Sequence, residues 1–152
     1  MENNIEVGSV MKFFYDSVKK PCNVYTDGLP EDFETPALYF PTPSLLPDNH
    51  SNTEYKIGTA IQVKVFGDSD KDANDMTNAI IKRVFDNRNL IPIVLEDGFV
   101  VKDKFVRLSK CESRAIEDCV VLLSVEWDMN YSYSRDNDGV IIGFTEIGTT
   151  LK

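Results

Sequence analysis

The sequence has few of the residues from which disulfides, zinc sites and many active sites are built. It contains three cysteines, Cys22, Cys111 and Cys119, none in a C-x-x-C pair, and one histidine, His50, far from them along the chain. An odd number of scattered cysteines is not typical of a disulfide framework or a zinc site, and it indicates a reducing cytosol. We therefore expect that no metal, cofactor or disulfide supports the fold.

Short catalytic and nucleotide-binding motifs are also missing. The chain contains no G-x-S-x-G, G-x-G-x-x-G, G-x-x-x-x-G-K-[ST] or H-E-x-x-H. A Cys–His pair would need contact between residues that are distant in sequence, so His50 is better interpreted as a surface residue. Cys111 and Cys119 are expected inside strands, as small buried hydrophobic residues. The residues therefore indicate no active site.

One acidic cluster has the first spacing of a calcium-binding loop. Asp68, Asp70 and Asp72 fit the opening positions, but Ala73 stands where the sharp turn needs glycine and Ala79 where the loop needs a bidentate glutamate. Carboxylates before an apolar helical pattern are explained by the positive end of a helix. We predict a helix N-terminus here and no calcium site.

A second acidic cluster near the C-terminus resembles the same loop more closely. Ser134, Asp136, Asp138 and Gly139 fit its first half, yet Thr145 occupies the position of the final glutamate. We predict a solvated turn.

Positive charge is scarce. The chain has 16 basic against 25 acidic residues, a formal net charge of −9, and no basic run. Such a balance is unsuited to binding a phosphate backbone or an anionic membrane, so DNA is expected to pass without specific binding.

The N-terminus lacks a basic stretch followed by an apolar one, and no apolar run approaches 18 residues. We expect neither a signal peptide nor a membrane span.

The residues that are present predict one domain over residues 1–152 with an α/β (α+β) fold. Apolar residues recur at helical spacing from about Ile5 to Lys19, and again from Ala73 to Val84. The longest strand is predicted from Asp118 to Ser134, where alternate residues are apolar; at about 3.3 Å per residue it would extend roughly 50 Å and project in part. We expect a mixed, mostly antiparallel sheet with long central strands, packed by two helices.

Other strands are predicted from alternation and from turn signals. The Glu96-Asp97-Gly98 turn is a strong hairpin signal, and Arg114–Glu117 is interpreted as a connection into the longest strand. The predicted strands are Cys22–Tyr25, Ala37–Phe40, Tyr55–Val65, Ile91–Leu95, Phe99–Val101, Phe105–Cys111 and Val140–Phe144.

Two segments are predicted to lie outside the periodic core. Residues 41–53 contain three prolines and several turn residues, and are expected to form a long exposed loop. Residues 135–152 form a C-terminal extension. Both carry apolar side chains without a clear core role, and tyrosines at the end of the longest strand offer rigid contact area. The candidate interface residues are Leu45, Leu46, Tyr131, Tyr133, Ile141, Ile142 and Phe144.

One phrase of the sequence carries a family resemblance. After the first helix come Val24-Tyr25-Thr26-Asp27, an acidic turn, and Phe33-Glu34-Thr35-Pro36-Ala37-Leu38-Tyr39-Phe40. The phrase, and the order of elements around it, resemble the tail terminator proteins of tailed bacteriophages and of phage tail-like particles. The proline-rich segment 41–53 departs from that pattern and leaves the docking partner open.

The resemblance implies a structural protein without enzyme activity or cofactors. Such a protein would cap the tail tube as a ring, end tube polymerisation and form the joint to the neck or head. The resemblance implies that the ring is a hexamer. It implies contacts with the tail tube protein, and with sheath and head-completion proteins, in a virion tail assembled in the bacterial host cytoplasm. Two alternatives stay open: another head-tail joining protein (stopper or completion), and a cytosolic α/β ligand-binding domain or enzyme without a recognisable motif.

Overall fold

The computed structural model describes residues 2–49, 51 and 53–132. This part of the chain contains two helices, α1 (Glu2–Val18) and α2 (Asp70–Asp86). The strands are β1 (Asn23–Tyr25), β2 (Ala37–Tyr39), β3 (Ser44–Asn49), β4 (Glu54–Phe66), β5 (Leu90–Val94), β6 (Val100–Glu117) and β7 (Val120–Ser132). The predicted α+β class is confirmed. Neither described helix is long and apolar enough to cross a membrane.

The strands form one mixed, mostly antiparallel sheet. Its order is β1-β2-β4-β7-β6-β5, and β3 also pairs with β4. Within the described part of the chain, β1 and β2 are the only neighbouring strands that run parallel. The two long central strands, β4 and β7, pair over their whole length, from Glu54 opposite Ser132 to Phe66 opposite Val120. Strand β7 pairs with one edge of β4. Strands β2 and β3 pair with successive stretches of the opposite edge of β4.

Helix α2 begins at the first acidic cluster, as predicted. Ser69 is its N-cap, and the Ser69 hydroxyl accepts a hydrogen bond from the Asp72 N–H at 3.1 Å. Asp70 and Asp72 lie in the first turn, where carboxylates favour the helix dipole. One face of the helix is buried on the sheet through Ala73, Met76, Thr77, Ile80 and Val84.

The main core lies between the sheet and the two helices. Its largest fully buried side chain is that of Trp127, on β7. Phe14 of α1, Ile80 of α2 and Leu123 of β7 are also fully buried in this cluster. Burying a side chain of this size contributes roughly 1.5–3 kcal/mol each, so this layer holds both helices on the sheet.

The phrase that carries the family resemblance folds into a smaller, separate core. The Phe33 ring packs against Phe66 at 4.6 Å between centroids and against the edge of Tyr25 at 6.2 Å. The Tyr25 hydroxyl accepts a hydrogen bond from the Glu34 N–H at 3.0 Å. The phrase thus fixes the turn between β1 and β2 by packing.

The prediction of a loop over residues 41–53 is wrong for most of that segment. Residues 44–49 form β3, whose ladder with β4 runs from Ser44 opposite Ala60 to Asn49 opposite Tyr55. Strand β3 has a neighbour on one side only among the described residues, and proline is tolerated on such an edge strand. Pro47 therefore does not break it.

Three expectations about the second half of the chain are also wrong. A single strand, β6, runs over residues 100–117, where two strands (Phe99–Val101 and Phe105–Cys111) and a connection (Arg114–Glu117) were predicted. Apart from the stretch around Val106 and Leu108, its residues are mostly exposed on both faces, so most of the strand shows no alternation. Cys119 was predicted inside a strand, but it lies in the turn before β7 with a φ of 64°. Its side chain is half-buried.

Candidate functional site

A cleft of about 510 Å³ opens where the sheet divides. It lies between the N-terminal turns of α1, the start of β4, the end of β7 and the β5–β6 hairpin. Its lining combines apolar and polar side chains, namely Ile5, Glu6, Tyr55, Ile93, Leu95, Val101, Lys104, Met129, Asn130 and Tyr131. The volume is in the range of small-ligand sites.

The carboxylate of Glu6 is the most unusual group beside this cleft. Glu6 is only 2% exposed. The indole Nε1 of Trp127 donates a hydrogen bond to Glu6 Oε1 at 3.1 Å, and the Tyr131 hydroxyl donates to Glu6 Oε2. Buried carboxylates are found where donors compensate the loss of water. No local sequence pattern points to this group, since its partners are more than a hundred positions away along the chain.

Tyr131 does not project beyond the sheet as expected. It stacks on Tyr55 of β4 with 5.5 Å between ring centroids and 28° between ring planes, directly across the strand pair. The interface role predicted for Tyr131 stays a prediction. Tyr133, Ile141, Ile142 and Phe144, as well as His50 and the second acidic cluster, lie outside the described residues.

Leu45 and Leu46 are exposed, as predicted, although they lie on strand β3 instead of in a loop. Leu45 is 46% exposed and Leu46 65% exposed. Adjacent strand residues point to opposite faces, so β3 presents an uncovered leucine on each face of the sheet. Leu46 stands opposite Gly58 of β4, where an added Cβ would lie 2.9 Å from Asp128 Oδ1 of β7.

A second exposed apolar group was missed by the sequence analysis. Phe99, Val100 and Phe105, at the β5–β6 hairpin, are 64%, 53% and 46% exposed. The sequence offered no signal for them, because apolar residues are expected in a strand that flanks the Asp97-Gly98 turn. Single exposed apolar residues are ordinary, whereas neighbouring ones mark contact surfaces.

The cysteines lie apart from one another, and all three are free. Burial raises the pKa of the Cys111 thiol to about 11. Burial also raises the pKa of Cys22, against the opposing effect of Lys20. Desolvation, followed by the negative charge of Asp70, raises the pKa of Cys119. None of these thiols is activated as a nucleophile.

The first acidic cluster is held by hydrogen bonds within the protein. Lys20 donates to Asp72, and the Asp68 N–H donates to Asp72 Oδ2 at 2.9 Å; these bonds lower the pKa of Asp72. The Cys119 N–H donates to Asp70 Oδ1 at 2.6 Å, which ties the start of α2 to the turn before β7. In residues 2–49, 51 and 53–132, no three His, Cys, Asp or Glu side chains are grouped to hold a metal ion.

Comparison with known proteins found two relatives from Bacillus subtilis (strain 168). The uncharacterized protein YqbJ is 31% identical over 141 residues, which cover 93% of this chain and 94% of YqbJ. The phage-like element PBSX protein XkdJ is 29% identical over 138 residues, which cover 91% of this chain and 92% of XkdJ.

No protein-family model matches the sequence. Among solved structures, a chain from the virion of a native gene transfer agent particle aligns with 84% of this chain and 98% of its own length, at 9% identity and a TM-score of 0.44. That likeness is too distant to bear on function. The similarity to YqbJ extends over nearly the full length of both proteins, and this chain belongs to the YqbJ protein family.

Proposed function

We propose that this protein is a structural component of a phage-type particle. The observation that carries the proposal is the similarity to XkdJ, a protein of the phage-like element PBSX, across nine-tenths of both chains. The Asp68–Asp72 cluster fits a structural role, because two of its carboxylates accept hydrogen bonds from the backbone N–H groups of Asp68 and Cys119.

Within that class, we propose the role of a tail terminator. The protein would form a ring on the end of the tail tube, stop its polymerisation and present a docking surface to the neck or head. The proposed partners are further copies of this chain, the tail tube protein, and sheath and head-completion proteins. The negative net charge suits a ring through which DNA slides without being bound.

The two ends of the sheet support a head-to-tail ring. Leu45 and Leu46 are exposed on β3, beside β4, while Phe99 and Phe105 are exposed at the β5–β6 hairpin, beyond β7. An interface between two different patches of the same protein is heterologous, and such interfaces close into rings when the rotation between subunits allows it. We propose that the β3 edge of one subunit contacts the β5–β6 hairpin of the next.

The test is assembly of the purified chain with and without the proposed partner, a tail tube protein. Multi-angle light scattering and negative-stain images should show rings, or tubes with capped ends. The double variant Leu45→Ser/Leu46→Ser should weaken assembly at least tenfold. The matched control is Phe85→Ser, which removes an exposed aromatic side chain from α2, 55% exposed and outside both patches.

Two results would contradict the proposal. A stable monomer in both conditions would exclude a ring, and equal assembly of the double variant and the control would exclude the two leucine side chains as the contact between subunits. The cleft beside Glu6 is the observation that favours a ligand-binding domain instead. Dispersed monomers with saturable binding of a small ligand would support that alternative.

A further inference from the structure

Strand β3 and the cleft lie at the same end of the sheet, on opposite sides of β4. Pro47 of β3 stands opposite Ile57 of β4, and Ile57 stands opposite Met129 of β7. Met129 lines the cleft, which extends from β7 to the β5–β6 hairpin. The exposed stretch of β3 is therefore level with the cleft along the strand direction.

A ring of identical subunits preserves this match in level. Rotation about the ring axis carries a point around the axis but leaves its height along the axis unchanged. In a ring whose axis runs along β4 and β7, β3 of one subunit therefore stands at the level of the cleft of the next. This step rests on the proposed ring, since a repeated rotation is what brings the two edges together.

The two leucines of β3 point to different faces of the sheet. A Cβ added to Gly58 would lie 3.7 Å from the Leu46 Cβ and 2.9 Å from Asp128 Oδ1, so these groups share one face. Leu45 is the neighbouring residue of β3 and points to the other face. Directly opposite residues share a face, and the two ladders place Leu45 level with Trp127. Leu45 therefore lies on the face on which Trp127 is buried.

The cleft opens on the face of Leu45. Trp127 and Tyr131 both donate hydrogen bonds to Glu6 of α1, so α1 covers this face. Tyr131 and Glu6 also line the cleft. Pro47, two residues after Leu45, points the same way and is exposed. Leu45 and Pro47 thus form a pair of exposed apolar side chains on the face where the cleft opens.

The cleft has apolar walls that suit these side chains. Ile93 of β5, Val101 of β6 and Met129 of β7 line it on different sides. Contact between the exposed Leu45 side chain and such walls removes apolar surface of both subunits from water, which favours association. We infer that the cleft receives Leu45 and Pro47 from a second copy of this chain.

Charge favours the same contact. Residues 102–107 of β6, which include Lys104 of the cleft lining, carry three basic residues and one acidic residue, a net charge of +2 in a chain of net charge −9. All four charged residues are exposed. Strand β3 carries one charged residue, Asp48, which is also exposed. An acidic strand is thus matched to a locally basic one, and opposite charges orient the encounter of two subunits.

The two leucines provide a matched pair of variants. Leu45→Ser removes the side chain that enters the cleft, whereas Leu46→Ser removes a more exposed one from the other face. We expect Leu45→Ser to raise the protein concentration needed for assembly about tenfold or more, and Leu46→Ser to raise it less than about threefold, as measured by light scattering. Melting temperatures should stay nearly unchanged, because neither leucine lies in the core. Equal effects of the two variants would overturn the inference.

Chemical cross-linking identifies what occupies the cleft. Leu45→Cys and Val101→Cys are prepared separately, mixed with the tail tube protein and treated with a short bismaleimide. We expect a covalent dimer that joins the two positions, identified by peptide mass spectrometry. Mixtures of each variant with the unaltered chain report the background from the three native thiols. Leu46→Cys mixed with Val101→Cys is the matched control and should give a lower yield.

The outcomes separate the cleft contact from the ring itself. Rings that form without a cross-link between positions 45 and 101 would overturn the cleft contact and leave the ring standing. A cross-link from position 101 to the tube protein, or equal yields from positions 45 and 46, would likewise overturn it. A stable monomer of the unaltered chain under all conditions would overturn the ring and the cleft contact together.

Discussion

The indole Nε1 of Trp127 donates a hydrogen bond of 3.1 Å to the carboxylate of Glu6. This contact joins the first helix of the chain to its last described strand, and both side chains are buried. Tyr131, four residues further along the same face of β7, donates a hydrogen bond to the other carboxylate oxygen of Glu6. These hydrogen bonds hold the first turns of α1 against the end of β7. Ile5 and Glu6 in those turns line one side of the cleft.

We predict that Glu6→Ala lowers the free energy of unfolding by about 2–4 kcal/mol, because it leaves the Trp127 N–H without this acceptor in the core. Glu6→Gln keeps an acceptor of the same shape and should cost about 1 kcal/mol. Urea unfolding followed by the fluorescence of Trp127, the only tryptophan of the sequence, measures both. Equal losses for Ala and Gln would show that the hydrogen bond adds little.

Gly67 is predicted to be intolerant of any side chain. A Cβ at this position would lie 2.3 Å from the Ala73 nitrogen and 2.7 Å from its Cα, both backbone atoms of α2. Gly67→Ala should therefore displace the helix and cost about 1–3 kcal/mol. Gly8→Ala is the matched control, since Gly8 lies in α1 with no atom within 4 Å of the added Cβ.

The control should stabilise the protein by about 0.5–1 kcal/mol, because alanine favours a helix over glycine. Melting temperatures of the two variants should thus move in opposite directions. A Gly67→Ala variant that melts at the same temperature as the unaltered protein would mean that α2 can move away from β4 without loss.

The periodic elements could be predicted from the sequence, for reasons visible in their residues. Helix α2 combines a Ser69 cap, acidic first-turn residues and a buried stripe at helical spacing. Strands β4 and β7 alternate over long stretches because each has one face on the main core. These signals are local, so one sequence is enough to read them.

Edge strands and the cleft could not be predicted in the same way. Residues 44–49 are exposed on both faces up to Asp48, and so carry no hydrophobic alternation. Strand β6 has the same difficulty over its second half. The cleft depends on Glu6 meeting Trp127 and Tyr131, residues more than a hundred positions away. No local pattern encodes that meeting.

The stability should depend on acid through Asp72. The pKa of this carboxyl is lowered in the folded protein, first by the hydrogen bond from Lys20 and then by the bond from the Asp68 N–H. A carboxyl with a depressed folded pKa contributes stability that is complete above its ordinary pKa of 3.8 and is lost as the pH falls through the folded pKa. Both partners are partly exposed, so the contribution is about 0.5–1 kcal/mol.

Asp72→Asn should therefore reduce stability at neutral pH by about that amount, and the difference from the unaltered protein should shrink below about pH 4. Chemical unfolding between pH 2 and pH 7 measures it. The control is Asp16→Asn, which removes one carboxylate of the exposed Lys12–Asp16 pair within α1. A pH-independent difference for Asp72→Asn would contradict the assigned cause.

The three cysteines should react slowly with thiol reagents in the folded protein. With a pKa of about 11, Cys111 has on the order of one thiolate per thousand molecules at pH 8, and the thiolate is the reactive form. We expect iodoacetamide to label Cys111 most slowly, and peptide mass spectrometry can follow each site. Labelling of Cys111 as fast as in the urea-unfolded chain would show that its burial is transient.

The last prediction concerns the backbone of β3. This strand is hydrogen-bonded to β4 from Ser44 to Asn49. Its inward-facing amides, those that point toward β4, should therefore exchange more slowly than the amides of a free loop even in the isolated subunit. The outward-facing amides lack a neighbouring strand among the described residues, and Leu45 and Leu46 are exposed. If a second copy covers this edge in the proposed ring, only the outward-facing amides should gain protection on assembly, by at least tenfold.

Hydrogen exchange on the free and the assembled protein distinguishes the two sets, since inward and outward amides alternate along the strand. Leu45→Ser/Leu46→Ser should leave the inward-facing amides and the melting temperature nearly unchanged, because both leucines already lie outside the core. Protection of both sets to the same extent in both states would place the contact between subunits elsewhere. Protection of the outward set in the assembly of the double variant would show that the backbone, without the leucine side chains, is enough to hold the edge.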